Sequence, residues 1–321
     1  MDTETFMYCR GWSQAKPGHA SDQNQDAFET RLVRDEAGDT VLLAICDGAS
    51  STVYAGPWAR ALVAAAEPDW PSLDDDMLTL RLDAVRERFQ HTLPDDLPWY
   101  MSHKIAKEGS QATLVVASFT RTPGSQEISF RTVAVGDSSL ILFRRGGSTA
   151  AFPLAKSADF GLSPRLISTK LQPDLRYERW DATLKPGDVL IGCTDAVGRW
   201  ALEGVESADW SAFFRLLLDV LGDDGFPEPG PVSADGGLFG RIACSTTQRR
   251  LDEDDVTLVL CVPVRPESAQ APLYFAQEVL NGHLTGDFGR LYVSPSAWTT
   301  LVNAARRALR AVVRLWPRWR R

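Results

Sequence analysis

Acidic residues stand beside short apolar runs of this sequence, where a folded sheet could bring carboxylates together. The pairs of run and acid are TVLLAIC with Asp47, RTVAV with Asp137, DVLIGC with Asp195, and VTLVLCV preceded by Asp254 and Asp255. Carboxylates that meet at strand ends raise one another's pKa, because like charges a few ångströms apart oppose ionisation. Hard divalent cations such as Mg²⁺ or Mn²⁺ relieve that repulsion and take oxygen ligands. The sequence therefore predicts a carboxylate metal site at one end of a sheet.

A structural reading of the same acids stays open. An Asp-Gly pair after a strand, such as Asp47-Gly48, is commonly a turn in which the aspartate bonds its own backbone. Asp137 could cap a turn in the same way. Asp254 has acidic neighbours, so an adjacent acid could take the ligand position that is assigned to Asp254.

The elements that must position these acids alternate between strand-like and helical patterns. Bounded runs rich in Val, Ile and Phe predict eight strands: FMYCRGWS, DAFETRLV, TVLLAIC, ATLVVASF, ISFRTVAV, SLILFRR, DVLIGCT and VTLVLCV. Hairpin-like turns, GDTV, TPGSQE and RRGGST, connect several of them and favour antiparallel sheets. Helical spacing predicts helices over 55–66, 73–92 and 210–221. This order favours an α+β fold or layered sandwich over a doubly wound parallel sheet.

Composition narrows the class of protein. The chain has 321 residues, a net charge of −8 and a pI of about 5.1, which argues against a nucleic-acid binder. Its five cysteines are scattered without a CxxC pair, as expected of reduced thiols. The N-terminus lacks a signal-peptide pattern, and no apolar run is long enough to span a bilayer. We expect a cytoplasmic protein.

The acids belong to motifs that resemble, in order, those of the metal-dependent type 2C (PPM-type) protein serine/threonine phosphatases. The resemblance covers roughly residues 8–264. Its motifs are Asn24-Gln25-Asp26-Ala27, Asp47-Gly48, GSQAT at 109–113, VGDSS at 135–139, Thr194-Asp195, and Asp254-Asp255-Val256-Thr257. NQDAF and DGASS are similar to the family's divergent bacterial branch.

The resemblance implies a layered α-β-β-α sandwich of two mainly antiparallel sheets, with a cleft for two Mn²⁺ or Mg²⁺ ions at one edge. Asp47 would bridge both ions, Asp195 and Asp254 would complete the first, and the Gly48 carbonyl would serve the second. Asp26 would act through a metal-bound water, and Asp137 would help Asp195 to hold a third, looser ion. Gln25 and Asp255 are possible secondary ligands.

Several positions depart from the family pattern. Gln25 replaces the usual glutamate, Ser21 stands where a phosphate-binding arginine is usual, and Ala196 replaces the glycine of Ser-Asp-Gly. Arg199 occupies a place where some members have another aspartate, which argues against a third ion. Ala49 stands where some members carry a histidine thought to protonate the leaving group, so the general acid is unassigned.

The activity implied is hydrolysis of phosphoserine or phosphothreonine on a protein by metal-activated water, without a covalent intermediate. The partners would be a phosphorylated protein and its serine/threonine kinase. Two alternatives stay open: a phosphatase-fold binding or regulatory module with weak or no turnover, and a phosphatase of small phosphate esters.

The C-terminal segment differs from the rest of the chain. From residue 288 onward there are eight arginines and no acid, so residues 1–287 carry about −16. We predict a phosphatase-like domain over 1–264, a linker and loop extension over 265–296, and a basic amphipathic helix and tail over 297–321. That helix could dock on its own domain, on a partner or on an anionic membrane surface. If it covers the metal cleft, deleting 288–321 should raise activity.

Overall fold

The computed structural model describes residues 6–36, 38–121, 125–161, 164–208, 210–221, 253–264 and 272–286. Within these residues, two five-stranded antiparallel sheets lie face to face and helices cover both outer faces. The predicted α+β sandwich is therefore confirmed. The predicted basic helix and tail of 297–321 lie outside the described residues.

Sheet A contains the strands that lead to three of the acidic motifs. Its strand order is β1-β12-β11-β7-β8. The strands are β1 Met7–Gln14, β12 Val256–Pro263, β11 Val189–Cys193, β7 Ser139–Phe143 and β8 Thr149–Phe152. β12, β11 and β7 are buried along their whole length, which explains their continuous apolar runs.

Sheet B has the order β10-β6-β5-β3-β2. The strands are β10 Glu178–Leu184, β6 Ile128–Val135, β5 Leu114–Arg121, β3 Gly38–Cys46 and β2 Ala27–Asp35. A small third sheet pairs β4 Gln111–Ala112 with β9 Ile167–Ser168. The eight predicted strands are present, whereas β8, β9 and β10 were not predicted.

Six α-helices form the outer layers of the described chain. They are α1 Ala55–Ala65, α2 Asp75–Gln90, α3 Trp99–Glu108, α4 Asp195–Glu206, α5 Ser211–Leu221 and α6 Pro272–Thr285. The predicted helices correspond to α1, α2 and α5. The other three were missed, and α6 lies inside the segment predicted to be a linker and loop extension. No helix in the described part of the chain has the length and apolar character needed to cross a bilayer.

Three apolar layers hold these elements together. One fills the space between the two sheets and includes Phe119, Phe130 and Leu142. A second lies between sheet B and helices α1 and α2, around Trp58. A third lies between sheet A and helices α4, α5 and α6, around Phe214. The central strands of each sheet are therefore buried on both faces, and the acidic motifs lie next to the ends of these strands.

Helix α6 belongs to the third layer. Ala276, Val279 and Leu280 are fully buried in it, and the helix packs against α5 and β1. Segment 265–296 is therefore not only a linker and loop extension, because it contributes a helix to the core. The Pro-containing stretch RPESAQAP was interpreted as a linker, but its last residue, Pro272, is the first residue of α6.

Candidate metal centre at the edge of the sandwich

The strand registers carry the acidic motifs of both sheets to the same edge. In sheet B, Ala27 at the start of β2 pairs with Cys46 at the end of β3, so Asp26 and Asp47 lie at the same end of this hairpin. Because β3, β5 and β6 are paired in sequence, Thr113 before β5 and Gly136 after β6 lie at that end too.

Sheet A brings its acids to the corresponding end. Cys193 at the end of β11 pairs with both Leu258 of β12 and Ser139 of β7. The residues just outside these strand ends are Asp137, Asp195, Asp254 and Asp255. The structure therefore gathers the six predicted acids along one edge of the sandwich.

Hydrogen bonds connect the two sheets at this edge. The Thr194 hydroxyl donates to Asp26 Oδ2 at 2.9 Å. The same hydroxyl oxygen accepts from the backbone N–H of Thr257 at 3.0 Å. Asp26 is only 5% exposed. Burial and then the charge of Asp255 raise its pKa well above the usual range, against the opposing hydrogen bonds from Thr257 and Thr194.

Asp47 lies at the centre of the acid cluster. Its backbone N–H donates to the Thr113 hydroxyl at 2.9 Å, and its carbonyl accepts from the Thr113 N–H at 2.8 Å. Burial is the largest cause of the raised pKa of its carboxyl. Four further carboxylates add to that shift: Asp26, Asp195, Asp137 and Asp254. Asp47 is therefore the acid on which the charges of these four carboxylates all act.

Gly48 is enclosed by backbone. A Cβ atom at this position would lie 2.7 Å from the Gln25 carbonyl oxygen and 2.8 Å from the Ala55 carbonyl carbon. Gly48 also forms an isolated antiparallel bridge with Ala112. The close approach explains why glycine follows Asp47, since any side chain would push apart the two loops that meet here.

Asp137 and Asp195 face each other from neighbouring connections of sheet A. Asp137 is 5% exposed, and burial followed by the charge of Asp195 raises its pKa to about 6. The Arg199 guanidinium opposes this shift electrostatically. Asp195 is the first residue of α4, and its Oδ1 accepts from the Ala196 N–H at 2.6 Å. Gly136, with φ +100°, makes the turn into Asp137.

Asp254 and Asp255 have different surroundings. Asp254 Oδ1 is 3.7 Å from Lys16 Nζ, and its side chain is partly exposed. Asp255 is 4% exposed, and its two oxygens accept backbone N–H groups: Oδ1 from Lys16 at 2.8 Å and Oδ2 from Gln25 at 2.7 Å. Through these bonds Asp255 holds the loop between β1 and β2. Its charge acts on Asp26, whereas that of Asp254 acts on Asp47.

The side chains do not form a finished coordination shell. Among the residues that the structure describes, no three His, Cys, Asp or Glu side chains are arranged closely enough to hold a metal ion. The carboxyls of the cluster nonetheless lie near enough to raise one another's pKa. The arrangement is thus a group of mutually repelling carboxylates, of which Asp26, Asp137 and Asp255 are buried and Asp47, Asp195 and Asp254 are half-buried.

Two cations lie beside the acids of this site. Lys16 lies beside Asp254, and Arg199 faces Asp137 from one turn into α4 while donating to the Phe160 carbonyl at 3.0 Å. The family pattern already drew attention to Arg199, and α4 places it four residues after Asp195 on the same helix. The position of Lys16 has no local signal, because it depends on Asp255, 239 residues away.

Comparisons with solved structures show which known proteins share this fold. No protein-family model matches the sequence, and no curated protein matches it. Solved structures do match. The serine/threonine phosphatase Stp1 from Staphylococcus aureus is 14% identical, covers 83% of this chain and 98% of its own, and superposes with a TM-score of 0.50.

Two further structures have similar extents. PppA, a regulatory component of T6SS in Pseudomonas aeruginosa, is 18% identical over 81% of this chain and 99% of its own, with a TM-score of 0.48. The Mycobacterium tuberculosis serine/threonine phosphatase PstP/Ppp is 16% identical over 81% and 99%, with a TM-score of 0.47.

The chain has the fold of the PPM-type serine/threonine phosphatases. Its fold is similar to that of staphylococcal Stp1, and the chain covers nearly the whole length of that structure.

Proposed function

We propose that this chain is a Mn²⁺- or Mg²⁺-dependent phosphatase that hydrolyses phosphoserine or phosphothreonine of a protein. The observation that carries the proposal is the partly buried carboxylate cluster around Asp47, whose pKa four other acids raise. A fold shared with PPM-type phosphatases supports phosphatase chemistry in general. A serine/threonine kinase that phosphorylates the same protein would be its functional counterpart.

The residues present fit hard divalent cations. The cluster offers oxygen donors, and a cation would remove the repulsion that raises the pKa of Asp47 and Asp26. Asp47 would be shared by two ions, with Asp195 and Asp254 on the first and the Gly48 carbonyl on the second. When bound, such ions supply Lewis-acid activation of water and neutralise phosphate charge.

Asp26, Gln25 and Asp137 would have supporting roles at the metal site. Asp26, fixed by Thr194, would hold water at the second ion, and Gln25 is available beside it. Asp137 with Asp195 would form the third, looser position. The positive charge of Arg199 on Asp137 already offsets that acid, which disfavours a third ion there.

The protein's own residues would orient and attract the substrate. Thr113 holds the backbone of Asp47 through two hydrogen bonds. These bonds would keep the Asp47 carboxylate in place during hydrolysis of the phosphate ester. Lys16 lies at the rim beside Asp254. Its ammonium favours approach of an anionic phosphate ester and would bind it as a point charge.

The test is Mn²⁺-dependent hydrolysis of a chromogenic phosphate ester by the full chain. We expect Asp47→Asn to lower kcat/KM by about 100-fold or more, because the shared ligand is lost. Asp35→Asn, at the exposed end of β2, is the matched control and should retain full activity. Activity that survives Asp47→Asn would show that the assigned site is wrong.

A second experiment separates the two kinds of substrate. A panel of phosphoserine and phosphothreonine peptides is compared with small phosphate esters at equal Mn²⁺. A protein phosphatase should show a higher kcat/KM on peptides, because contacts outside the phosphate add to binding in the transition state. Preference for a small ester would replace the protein substrate with a small-molecule one.

One observation favours a binding module without turnover. Positive charges already face two of the acids, Lys16 at Asp254 and Arg199 at Asp137, and could neutralise part of the cluster without metal. A module of this kind would keep the same Tm with and without Mn²⁺ and would show no turnover. A metal-dependent enzyme would show a higher Tm in Mn²⁺, because the ion binds the folded state.

A further inference from the structure

Two free thiols face each other across neighbouring strands of sheet A. Cys9 of β1 pairs directly with Cys261 of β12 in the antiparallel register, and their Sγ atoms lie 3.3 Å apart. Directly opposed residues in antiparallel strands have Cα atoms about 4.5–5.5 Å apart, which a disulfide can span. We propose that Cys9 and Cys261 form an oxidative modification site, at which a small-molecule disulfide converts the two thiols to a cross-strand disulfide.

The two thiols differ in access. Cys9 is partly exposed on β1, which is an edge strand of sheet A, so a small oxidant can approach it from the side of the sandwich. Cys261 is fully buried, and its hydrogen bond with Cys9 together with burial raises its pKa. Cys9 is therefore the thiol that first attacks the small disulfide, and Cys261 is the one that resolves the mixed disulfide.

The other described cysteines lack this combination. Cys46 and Cys193 are both fully buried, and the Cys193 thiol donates to the Ser139 carbonyl at 3.7 Å. Neither has the partial exposure of Cys9 that would admit an oxidant.

The reaction balances as two thiol–disulfide exchanges. The Cys9 thiolate attacks one sulfur of the small disulfide, forms a mixed disulfide, and releases one small thiolate that takes up the Cys9 proton. The Cys261 thiolate then attacks the Cys9 sulfur, the Cys9–Cys261 bond forms, and the second small thiol leaves with the Cys261 proton. Two cysteines lose two electrons, and one small disulfide becomes two thiols.

The new bond would join parts of the chain that are far apart in sequence. Cys9 and Cys261 are separated by 252 positions, so the bond closes a loop that contains nearly the whole described chain. Restricting the unfolded chain in this way stabilises the folded state. β1 and β12 are also the strands joined next to the acid cluster, where Ser13 and Thr257 share a 2.8 Å hydrogen bond.

The experiment uses the full chain in a Cys244→Ser background, because Cys244 lies outside the described residues. The reduced protein is incubated with oxidised glutathione, digested, and analysed by mass spectrometry. We expect one cross-linked peptide pair containing Cys9 and Cys261, two hydrogens lighter than the reduced peptides. The Tm should rise by roughly 5–10 °C and return to its original value in dithiothreitol.

Two variants in the same background give the matched controls. Cys261→Ser should stop at a mixed disulfide on Cys9, and Cys9→Ser should show neither product nor a change in Tm. The proposal is overturned if the parent protein also stops at the mixed disulfide, or if folded parent protein leaves both thiols unmodified. Because the measurement maps a bond and needs no turnover, its failure would leave the proposed phosphatase activity to its own test.

Discussion

Asp47 lies where burial and the charges of four other carboxylates all raise its pKa. An acid whose pKa is higher in the folded state than in the unfolded state favours folding at low pH, and this contribution is lost as the pH rises through the folded value. Ionisation of the metal-free cluster is therefore unfavourable. Strain of this kind at a site is relieved by a ligand of opposite charge, which is the role proposed for the divalent ions.

The corresponding prediction concerns the metal-free protein. Asp47→Asn should raise the free energy of unfolding in EDTA at pH 7.5 by about 1–2 kcal/mol, because a neutral amide replaces a carboxyl whose ionisation is unfavourable in the folded protein. Urea denaturation measures this change, and Asp35→Asn on the exposed strand end is the control. A lower stability for Asp47→Asn would mean that the carboxylate has favourable partners that outweigh the repulsion.

Asp255 is positioned to hold a loop, unlike the neighbouring Asp254. Its two carboxylate oxygens accept the N–H groups of Lys16 and Gln25, which closes the connection between β1 and β2 over the acid cluster. Asp255→Asn should destabilise the protein by about 2–3 kcal/mol, because an amide nitrogen cannot accept the second bond.

Chemical denaturation and Mn²⁺ titration both test this prediction. We expect weaker Mn²⁺ binding in Asp255→Asn, since the loop carries Gln25 and Asp26. Glu253→Gln, an exposed acid two residues earlier, is the control for removing a negative charge. Equal stability of the Asp255→Asn and Glu253→Gln proteins would show that the loop is held by other contacts.

At the scale of elements, the packing of α6 depends on a neutral histidine. His283 stacks on Phe214 with ring centroids 4.9 Å apart, and its Nε2 lies 2.8 Å from the Gly187 carbonyl oxygen. Burial lowers the pKa of His283, against opposing effects of that carbonyl and of Asp188. Below the ordinary histidine pKa of about 6.5, the unfolded or undocked state therefore binds more protons than the packed state.

Lowering the pH from 7.5 to 5.5 should loosen α6. Hydrogen exchange of the α6 amides, corrected for the intrinsic pH dependence, should reveal less protection at pH 5.5, while the amides of β5 stay protected. His283→Gln is the control, because glutamine does not titrate and should lose this pH dependence. The same loss of protection in wild type and His283→Gln would assign the effect to other groups.

The strands of the core were predictable because β5, β11 and β12 are buried on both faces and read as continuous apolar runs. β10 was missed because its residues are mostly exposed or half-buried, including Glu178 and Asp181. α3 was missed because none of its residues is buried. It is held instead by contacts such as that of Lys104 Nζ with the Ser51 carbonyl at 2.8 Å.

The candidate site divides in the same way. The six acids were predictable because each lies next to a strand run or in a recognisable motif. The sequence drew attention to Arg199, but the contacts of Lys16 and Arg199 required the structure, because they depend on how distant segments pack around Asp255 and α4. The role of Asp255 also required the structure, since only the fold shows that its oxygens are occupied by the Lys16 and Gln25 amides.

For the whole molecule, α6 determines where the chain can be truncated, because this helix covers part of the apolar core. A chain ending at residue 264, the predicted end of the phosphatase-like domain, would expose the apolar surface that Ala276, Val279 and Leu280 cover. It should be much less soluble and lose roughly 3 kcal/mol or more of stability. A chain ending at residue 286 keeps α6 and should have a higher Tm than the chain ending at 264.

The pair of truncations also isolates the basic tail. If residues 288–321 cover the acid cluster, the chain ending at 286 should hydrolyse phosphate esters faster than the full chain at equal Mn²⁺. Unchanged kinetics would remove the autoinhibitory role and leave an external partner or an anionic membrane surface for the tail. Comparable solubility and Tm for the chains ending at 264 and 286 would contradict a core role for α6.

The proposed phosphatase activity depends on the binding of divalent cations by Asp47 and its neighbouring acids. The most direct measurement is equilibrium dialysis of the full chain against Mn²⁺, with Asp47→Asn and Asp35→Asn dialysed alongside. We expect two tightly held ions for the wild type and for Asp35→Asn, and at least about tenfold weaker binding for Asp47→Asn. Equal Mn²⁺ binding by Asp47→Asn and wild type, or no binding by any of the three, would contradict it.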